Sequence, residues 1–120
     1  MSNESIRQRK VADSVQKLVS VVIDRRVKDP DKGFVTVTKV RMTRDLKIAS
    51  VYFTVLGDEE QRDRSLEVLT RAKSYIRSEI GPELKMRFTP ELRFFIDDTM
   101  EQAQRIDELI ASIKKEESED

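Results

Sequence analysis

The residues of this 120-residue chain best suited to chemistry are basic, and they fall into three groups along the sequence. Lysine and arginine neutralise phosphate groups, and arginine adds a planar fork of donors that fits phosphate oxygens. The groups are Arg7, Arg9 and Lys10; Lys39, Arg41, Arg44 and Lys47; and Arg71, Lys73, Arg77, Lys85, Arg87 and Arg93. Charged side chains also cover any solvated face, so one group alone is weak evidence. Lys73 and Arg77 are a stronger case, because residues four apart share a helix face.

Acid–base and metal chemistry have little support in the sequence. The chain contains no histidine and no cysteine, which removes the usual general base near neutral pH, thiolate ligands and disulfides. Asp97 and Asp98 could hold Mg²⁺ as nuclease carboxylates do, but carboxylates at this position also suit the start of a helix. We therefore expect no enzyme activity, no cofactor and no metal, and keep a metal-dependent nuclease as a third hypothesis.

Aromatic residues offer a second means of contacting nucleic acid. Tyr52 lies opposite the apolar face of a predicted strand, and Tyr75 lies within a long predicted helix. Either ring could stack on an unpaired base, but packing at a domain edge with the hydroxyl in water is more common, and we expect it for both. The sequence predicts a place in the core or at its edge for Phe34, Phe53, Phe94 and Phe95.

Charge is distributed unevenly along the chain. The formal net charge is zero, but residues 116–120 hold four acidic residues and no basic one, so the remaining 115 residues carry +4. We expect one domain over residues 1–115 and a disordered acidic tail over residues 116–120. The first ten residues are polar, and no later stretch approaches the length of a membrane span, so we expect a cytoplasmic protein without membrane contact.

The hydrophobic pattern predicts the order α-β-β-α-kink-α-β-α. Apolar residues at three- and four-residue spacing predict helices, and alternation predicts strands. The predicted elements are a helix over 6–26, strands over 34–42 and 47–56, a kinked helix from about 61 to about 82, a strand over 92–96 and a last helix from 98 or 99. Val35 and Val37 have the opposite parity to Val40 and Met42, which predicts a bulge near Thr38.

This order, with an antiparallel sheet covered by helices on one face, is typical of an α+β protein with the type II KH fold. KH domains clamp single-stranded nucleic acid with a Gly-x-x-Gly loop between two central helices. No such loop occurs here, and the equivalent position reads Ala72, Lys73, Ser74. The usual backbone clamp is therefore missing.

Two stretches carry a more specific resemblance. Residues 27–40, with Asp45, Leu46 and residues 49–53, form the first, and residues 76–81 with Met86-Arg87-Phe88-Thr89-Pro90-Glu91-Leu92-Arg93-Phe94 form the second. Together they resemble the ribosome-binding factor A family over nearly the whole chain to Ile113. In that family an Ala-x-Gly step makes the interhelical kink. Ser74 stands in place of the glycine here, which implies a gentler kink.

The resemblance implies a non-catalytic monomer that binds free small (30S) ribosomal subunits late in assembly. It implies contact with 16S rRNA near the decoding region and the 5′ end, support of 16S rRNA processing, and other assembly factors or an assembly GTPase as further partners. The alternative from a different class is a small protein-interaction module that acts without touching RNA, through a sheet edge or the acidic tail.

Overall fold

A computed structural model describes residues 4–118 and contains three helices and one three-stranded sheet. The elements in chain order are α1 (Ile6–Arg26), β1 (Phe34–Met42), β2 (Ile48–Leu56), α2 (Glu59–Leu84), β3 (Glu91–Ile96) and α3 (Thr99–Ser118). The α+β class is confirmed, and the first helix and first strand have the predicted bounds. None of the helices within this described part combines the length and apolar character needed to cross a lipid bilayer.

The sheet is mixed, and its strands lie in the order β1-β2-β3. β1 and β2 form an antiparallel hairpin whose register shifts between Val37 and Lys39, which confirms the predicted bulge. β3 pairs with β2 in parallel, so the expectation of an antiparallel sheet was wrong. The reason is the connection: α2 carries the chain back along the length of the sheet, and a helical crossover joins parallel strands.

The core lies between one face of the sheet and helices α1 and α2. Along β2, Ala49, Val51 and Phe53 are fully buried, whereas the residues between them are partly exposed. Helix α1 contributes three valines, an isoleucine and Ala12, Val27 follows directly after it, and α2 contributes Val68, Leu69, Ile76 and Ile80. The other face of the sheet is left uncovered by α1 and α2.

Helix α2 is continuous across Ala72, Lys73 and Ser74, so the structure has one helix where the sequence predicted two separated by a kink. Alanine and lysine favour a helix, and serine does not adopt positive φ as readily as glycine does. A few residues later the Ser78 hydroxyl donates a hydrogen bond to the backbone carbonyl of Tyr75 at 2.7 Å.

Helix α3 projects away from the core. Its start is held to α2 by an ion pair between Arg62 and Glu101. Its apolar stripe, predicted as Ala103, Ile106, Leu109, Ile110 and Ile113, is present but exposed. The helix also includes residues 116–118, which the sequence had assigned to a disordered tail; residues 119 and 120 lie outside the described part of the chain.

Candidate nucleic-acid interface

Most of the predicted basic residues meet at one end of the sheet. This end is formed by Met42, Ile48 and Glu91, the last residue of β1 and the first residues of β2 and β3. The side-chain amide of Gln8 donates to Met42 O, which fixes the start of α1 beside the β1–β2 hairpin. The Glu91 N–H donates to Lys47 O at 2.8 Å, which fixes the α2–β3 loop beside the same hairpin.

We call this region the basic end. Its cations come from three segments that are distant in sequence and adjacent in the fold. They are Arg7, Arg9 and Lys10 of α1, Arg44 and Lys47 of the hairpin, and Lys85 and Arg87 of the α2–β3 loop, and all are exposed. The opposite end of the sheet carries Asp58, Glu59, Glu60, Asp97 and Asp98. Arg25 and Arg26, in the last turn of α1, lie at that opposite end as well, so cations are not confined to the basic end.

The turn of the β1–β2 hairpin is closed by Asp45 within the basic end. Its carboxylate accepts hydrogen bonds from the Thr43 hydroxyl at 2.7 Å and from the Lys47 N–H at 3.1 Å. These donors favour the charged form and hold the pKa of Asp45 below its ordinary value. The acidic residue in this basic region thus fixes the loop that carries Arg44 and Lys47.

A groove between α2 and β3 opens onto the basic end. Its walls are formed by Lys73, Ser74, Arg77, Glu91 and Leu92. Lys73 and Arg77 are roughly 40° apart around the helix axis, so they share a helix face as the sequence predicted, and that face lines the groove. It lies where a KH domain would hold a nucleotide strand, but no glycine loop provides backbone donors here. The groove therefore offers side chains in place of a glycine loop.

Arg77 is committed to the protein itself. Its Nη2 donates to Thr89 O at 2.7 Å, and its Nε lies 3.2 Å from Thr89 O and 3.1 Å from Pro90 O. A guanidinium fork satisfies these two adjacent carbonyls at once, which a single lysine nitrogen would do less well. Arg77 therefore positions the loop that carries Lys85 and Arg87, a role that the sequence reasoning missed.

Gly81 permits the same loop to approach the helix. A Cβ atom on this residue would lie 2.9 Å from Thr89 Oγ1, closer than ordinary packing allows. The helix continues past Pro82 and ends at Leu84, and the next residue, Lys85, adopts the left-handed conformation with φ 54°. Lys85 takes the terminal position that glycine usually occupies, so its side chain is presented at the end of α2.

Arg71 lies apart from the other predicted residues. It is roughly 160° around α2 from Lys73, and its Nη2 lies 3.6 Å from Asp29 Oδ2 in the loop after α1. Tyr75 also faces this side. Its hydroxyl bonds to Glu79, and this bond, with the charge of Glu79, raises the pKa of Tyr75. Neither residue lines the groove.

Comparison with known proteins identifies the family. A family model described as ribosome-binding factor A matches residues 7–110. This chain belongs to the ribosome-binding factor A family. A Thermotoga maritima protein assigned to ribosome-binding factor A is 33% identical, with TM-score 0.68, and the match covers 79% of this chain and 91% of that chain.

A crystal structure and a fitted homology model of ribosome-binding factor A have the same fold. The crystal structure from Thermus thermophilus is 24% identical with TM-score 0.66, and the match covers 74% of this chain and 94% of that chain. A Thermus thermophilus homology model fitted into a cryo-EM map of a 30S complex is 25% identical with TM-score 0.60, over 72% of this chain and 91% of that chain. The KH-like fold is consistent with these matches.

The uncovered sheet face of this family member carries the remaining predicted cations. Lys39, Arg41 and Arg93 lie there, and Arg93 Nη2 is 3.6 Å from Glu91 Oε2. Phe95 shares this face and is 42% exposed, and Phe34 is 75% exposed, so their prediction as core or core-edge residues was wrong. Strand alternation explains both orientations, because Phe95 follows the buried Phe94 and Phe34 precedes Val35, which packs against the core.

The Asp97 carboxylate accepts hydrogen bonds at the first residue of α3. It accepts from the Thr38 hydroxyl and the Thr99 hydroxyl, each at 2.6 Å, and from the Thr99 N–H at 3.0 Å. These bonds lower its pKa to about 2. Among residues 4–118 no group of three or more acidic side chains is arranged to hold a metal ion. The helix-start interpretation of Asp97 is confirmed.

Proposed function

We propose that this chain binds the free small (30S) ribosomal subunit during late assembly and supports maturation of 16S rRNA, including processing of its 5′ end. It acts by binding and holding RNA near the decoding region, as a monomer of the cytoplasm, and makes or breaks no bond. The observation that carries this proposal is the convergence of basic side chains from three segments at one end of the sheet. Membership of the family and the neighbour fitted into a 30S complex support it.

Within the basic end and the adjoining groove the residues have different tasks. Lys73, Lys85, Arg87, Arg44 and Lys47 neutralise phosphates, and so do the cations at the start of α1. Arg77 positions the α2–β3 loop by holding Thr89 and Pro90. Phosphate contacts carry no sequence information, so discrimination comes from the shape of the ribosomal site. Affinity should therefore fall steeply with salt.

Co-sedimentation tests the proposal directly. The purified protein is centrifuged with isolated small subunits, large subunits and intact ribosomes at low and high salt. Selective binding to small subunits that is lost at high salt is the expected result. Arg87→Glu should weaken it, whereas Lys28→Glu, a charge reversal on an exposed residue beyond the other end of α1, should leave it nearly unchanged.

A protein-interaction module without RNA contact is the second candidate, and the exposed apolar stripe of α3 favours it. Apolar contacts tolerate salt, because screening weakens only charge interactions. Absence from every ribosomal fraction at low salt would support this candidate and overturn the first. Binding to small subunits that Arg87→Glu retains at high salt would overturn the assignment of the basic end as the contact surface. Both candidate functions are compatible with contact to other assembly factors or an assembly GTPase.

A further inference from the structure

The uncovered face of the sheet carries a row of three side chains, one from each strand. Lys39 pairs in register with Tyr52, and Tyr52 pairs with Phe95. The Tyr52 and Phe95 rings are stacked, with centroids 5.4 Å apart and planes 28° apart. Lys39 Nζ lies 4.6 Å from the centroid of the Tyr52 ring. We call these three residues the stacked row.

Two further cations lie beside the stacked row. Arg41 and Arg93 both flank Ser50, which is two residues before Tyr52 on β2. On the same face Ser50 and Thr54 stand on either side of Tyr52, so small side chains leave the rings accessible from above. Aromatic rings surrounded by cations on an open face suit an anionic partner with planar groups.

We propose that this face binds a short stretch of single-stranded RNA, with an unpaired base stacked on Phe95 and neighbouring phosphates held by Arg41 and Arg93. The proposal rests on the proposed RNA-binding function and adds a second contact surface to the basic end. Base stacking on aromatic residues needs only a free ring face and a nearby cation, and it tolerates any sequence.

The geometry assigns the base to Phe95 in preference to Tyr52. The Tyr52 ring has Lys39 on the β1 side and Phe95 on the β3 side, so both of its faces are in contact. β3 is an edge strand, and the side of Phe95 turned away from Tyr52 faces no strand. A base placed there would continue the series of cation, ring and ring. Tyr52 then supports the ring that takes the base.

Charge argues for RNA over an apolar protein surface as the occupant. Docking an apolar partner would remove the Lys39, Arg41 and Arg93 charges from water, which costs free energy unless each finds an anion. The face offers few: Glu91 lies beside Arg93, and Asp97 is bonded to Thr38 and Thr99. The phosphates of a single strand would supply the missing anions.

Tyrosine fluorescence provides a reporter, because the chain has two tyrosines and no tryptophan. In a Tyr75→Phe background the remaining emission comes from Tyr52, within the stacked row. Titration with an eight-nucleotide single-stranded uridine oligomer should quench this emission. In the same background Phe95→Leu should weaken binding of the oligomer, measured by anisotropy of a dye on the RNA, by roughly 5- to 150-fold. Phe34→Leu, the same change at the opposite end of β1 on this face, is the matched control and should have no effect.

A second variant guards against loss of folding. Phe95→Trp keeps an aromatic ring, so it should bind the oligomer at least as well as the parent, and the emission of the introduced indole should be quenched on binding. Equal binding by Phe95→Leu and its parent, or no change in indole emission on binding, would overturn the stacking proposal. If small subunits still co-sediment in a salt-sensitive manner, the proposed function survives that result. Loss of both subunit and oligomer binding in the unmodified protein would overturn both.

Discussion

The guanidinium group of Arg77 holds the carbonyl oxygen of Thr89 through two donors, Nη2 at 2.7 Å and Nε at 3.2 Å. Twelve residues separate them in sequence, and the contact joins the helix wall of the groove to the loop of the basic end. A residue predicted to bind RNA by its charge is thus also a clamp within the protein. Substitution can separate these two tasks.

Arg77→Lys keeps the positive charge but removes the paired guanidinium donors that bond to Thr89 and Pro90. We expect the free energy of unfolding to fall by about 1 kcal/mol and the melting temperature by about 4 °C, because at least one carbonyl of Thr89 or Pro90 loses its partner. Thermal unfolding followed by circular dichroism measures this change. Lys73→Gln, one turn earlier, should leave the melting temperature unchanged and weaken RNA binding. An unchanged melting temperature in Arg77→Lys would contradict the clamp.

The contribution of each phosphate contact is readable from salt dependence. If Arg87 neutralises one phosphate, Arg87→Gln should reduce the slope of log affinity against log salt by about 0.7 to 0.9. Affinity for isolated small-subunit RNA at four or five salt concentrations gives the slope. Lys28→Gln should preserve it. Equal slopes for Arg87→Gln and the unmodified protein would remove Arg87 from the interface.

Gly81 and Thr89 form a packing pair that a double-mutant cycle can test. Gly81→Ala gains about 1 kcal/mol of helix propensity but places a Cβ 2.9 Å from Thr89 Oγ1, so we expect no net gain. In a Thr89→Ala background that Oγ1 is gone, and the same substitution should stabilise the protein. Urea unfolding of the four proteins gives the coupling. Additive effects would show that the close approach does not matter.

The low pKa of Asp97 predicts a specific loss of stability in acid. The folded pKa of about 2 lies below the ordinary value of 3.8, so the charged carboxylate contributes stability above about pH 4. That contribution falls as pH drops from about 4 towards 2. The difference in urea midpoint between the unmodified protein and Asp97→Asn should therefore shrink over this range. A difference that stays constant between pH 4 and pH 2 would contradict the assignment.

Much of the fold was predictable from local pattern. The valine spacing of α1 and the parity change in β1 predicted a helix with the observed bounds and a bulge at the observed place. Both signals are local, because burial on one face of an element imposes its period on the sequence. The strand directions were not predictable in this way. β3 carries the same alternation whether it runs parallel or antiparallel to β2.

The candidate site was predictable as a set of charges but not as an arrangement. Sequence spacing correctly placed Lys73 and Arg77 on one helix face, and it grouped Arg71 with them. In the fold Arg71 forms an ion pair with Asp29, and Arg77 donates a hydrogen bond to the carbonyl oxygen of Thr89. It also places Phe95 against Tyr52. These partners are distant in sequence, so the hydrophobic periodicity of a single segment does not predict them.

The sequence by itself determined the class of the protein, the position of its elements and the kind of partner its charges suit. These follow from composition and from periods of two and 3.6 residues, which are properties of short segments. The tertiary structure decided which cations lie close together, that Arg77 bonds to the α2–β3 loop and that the Phe95 ring stays exposed. Those outcomes depend on the crossover of α2 and the register of β3, because only packing brings residues from separate segments within contact distance.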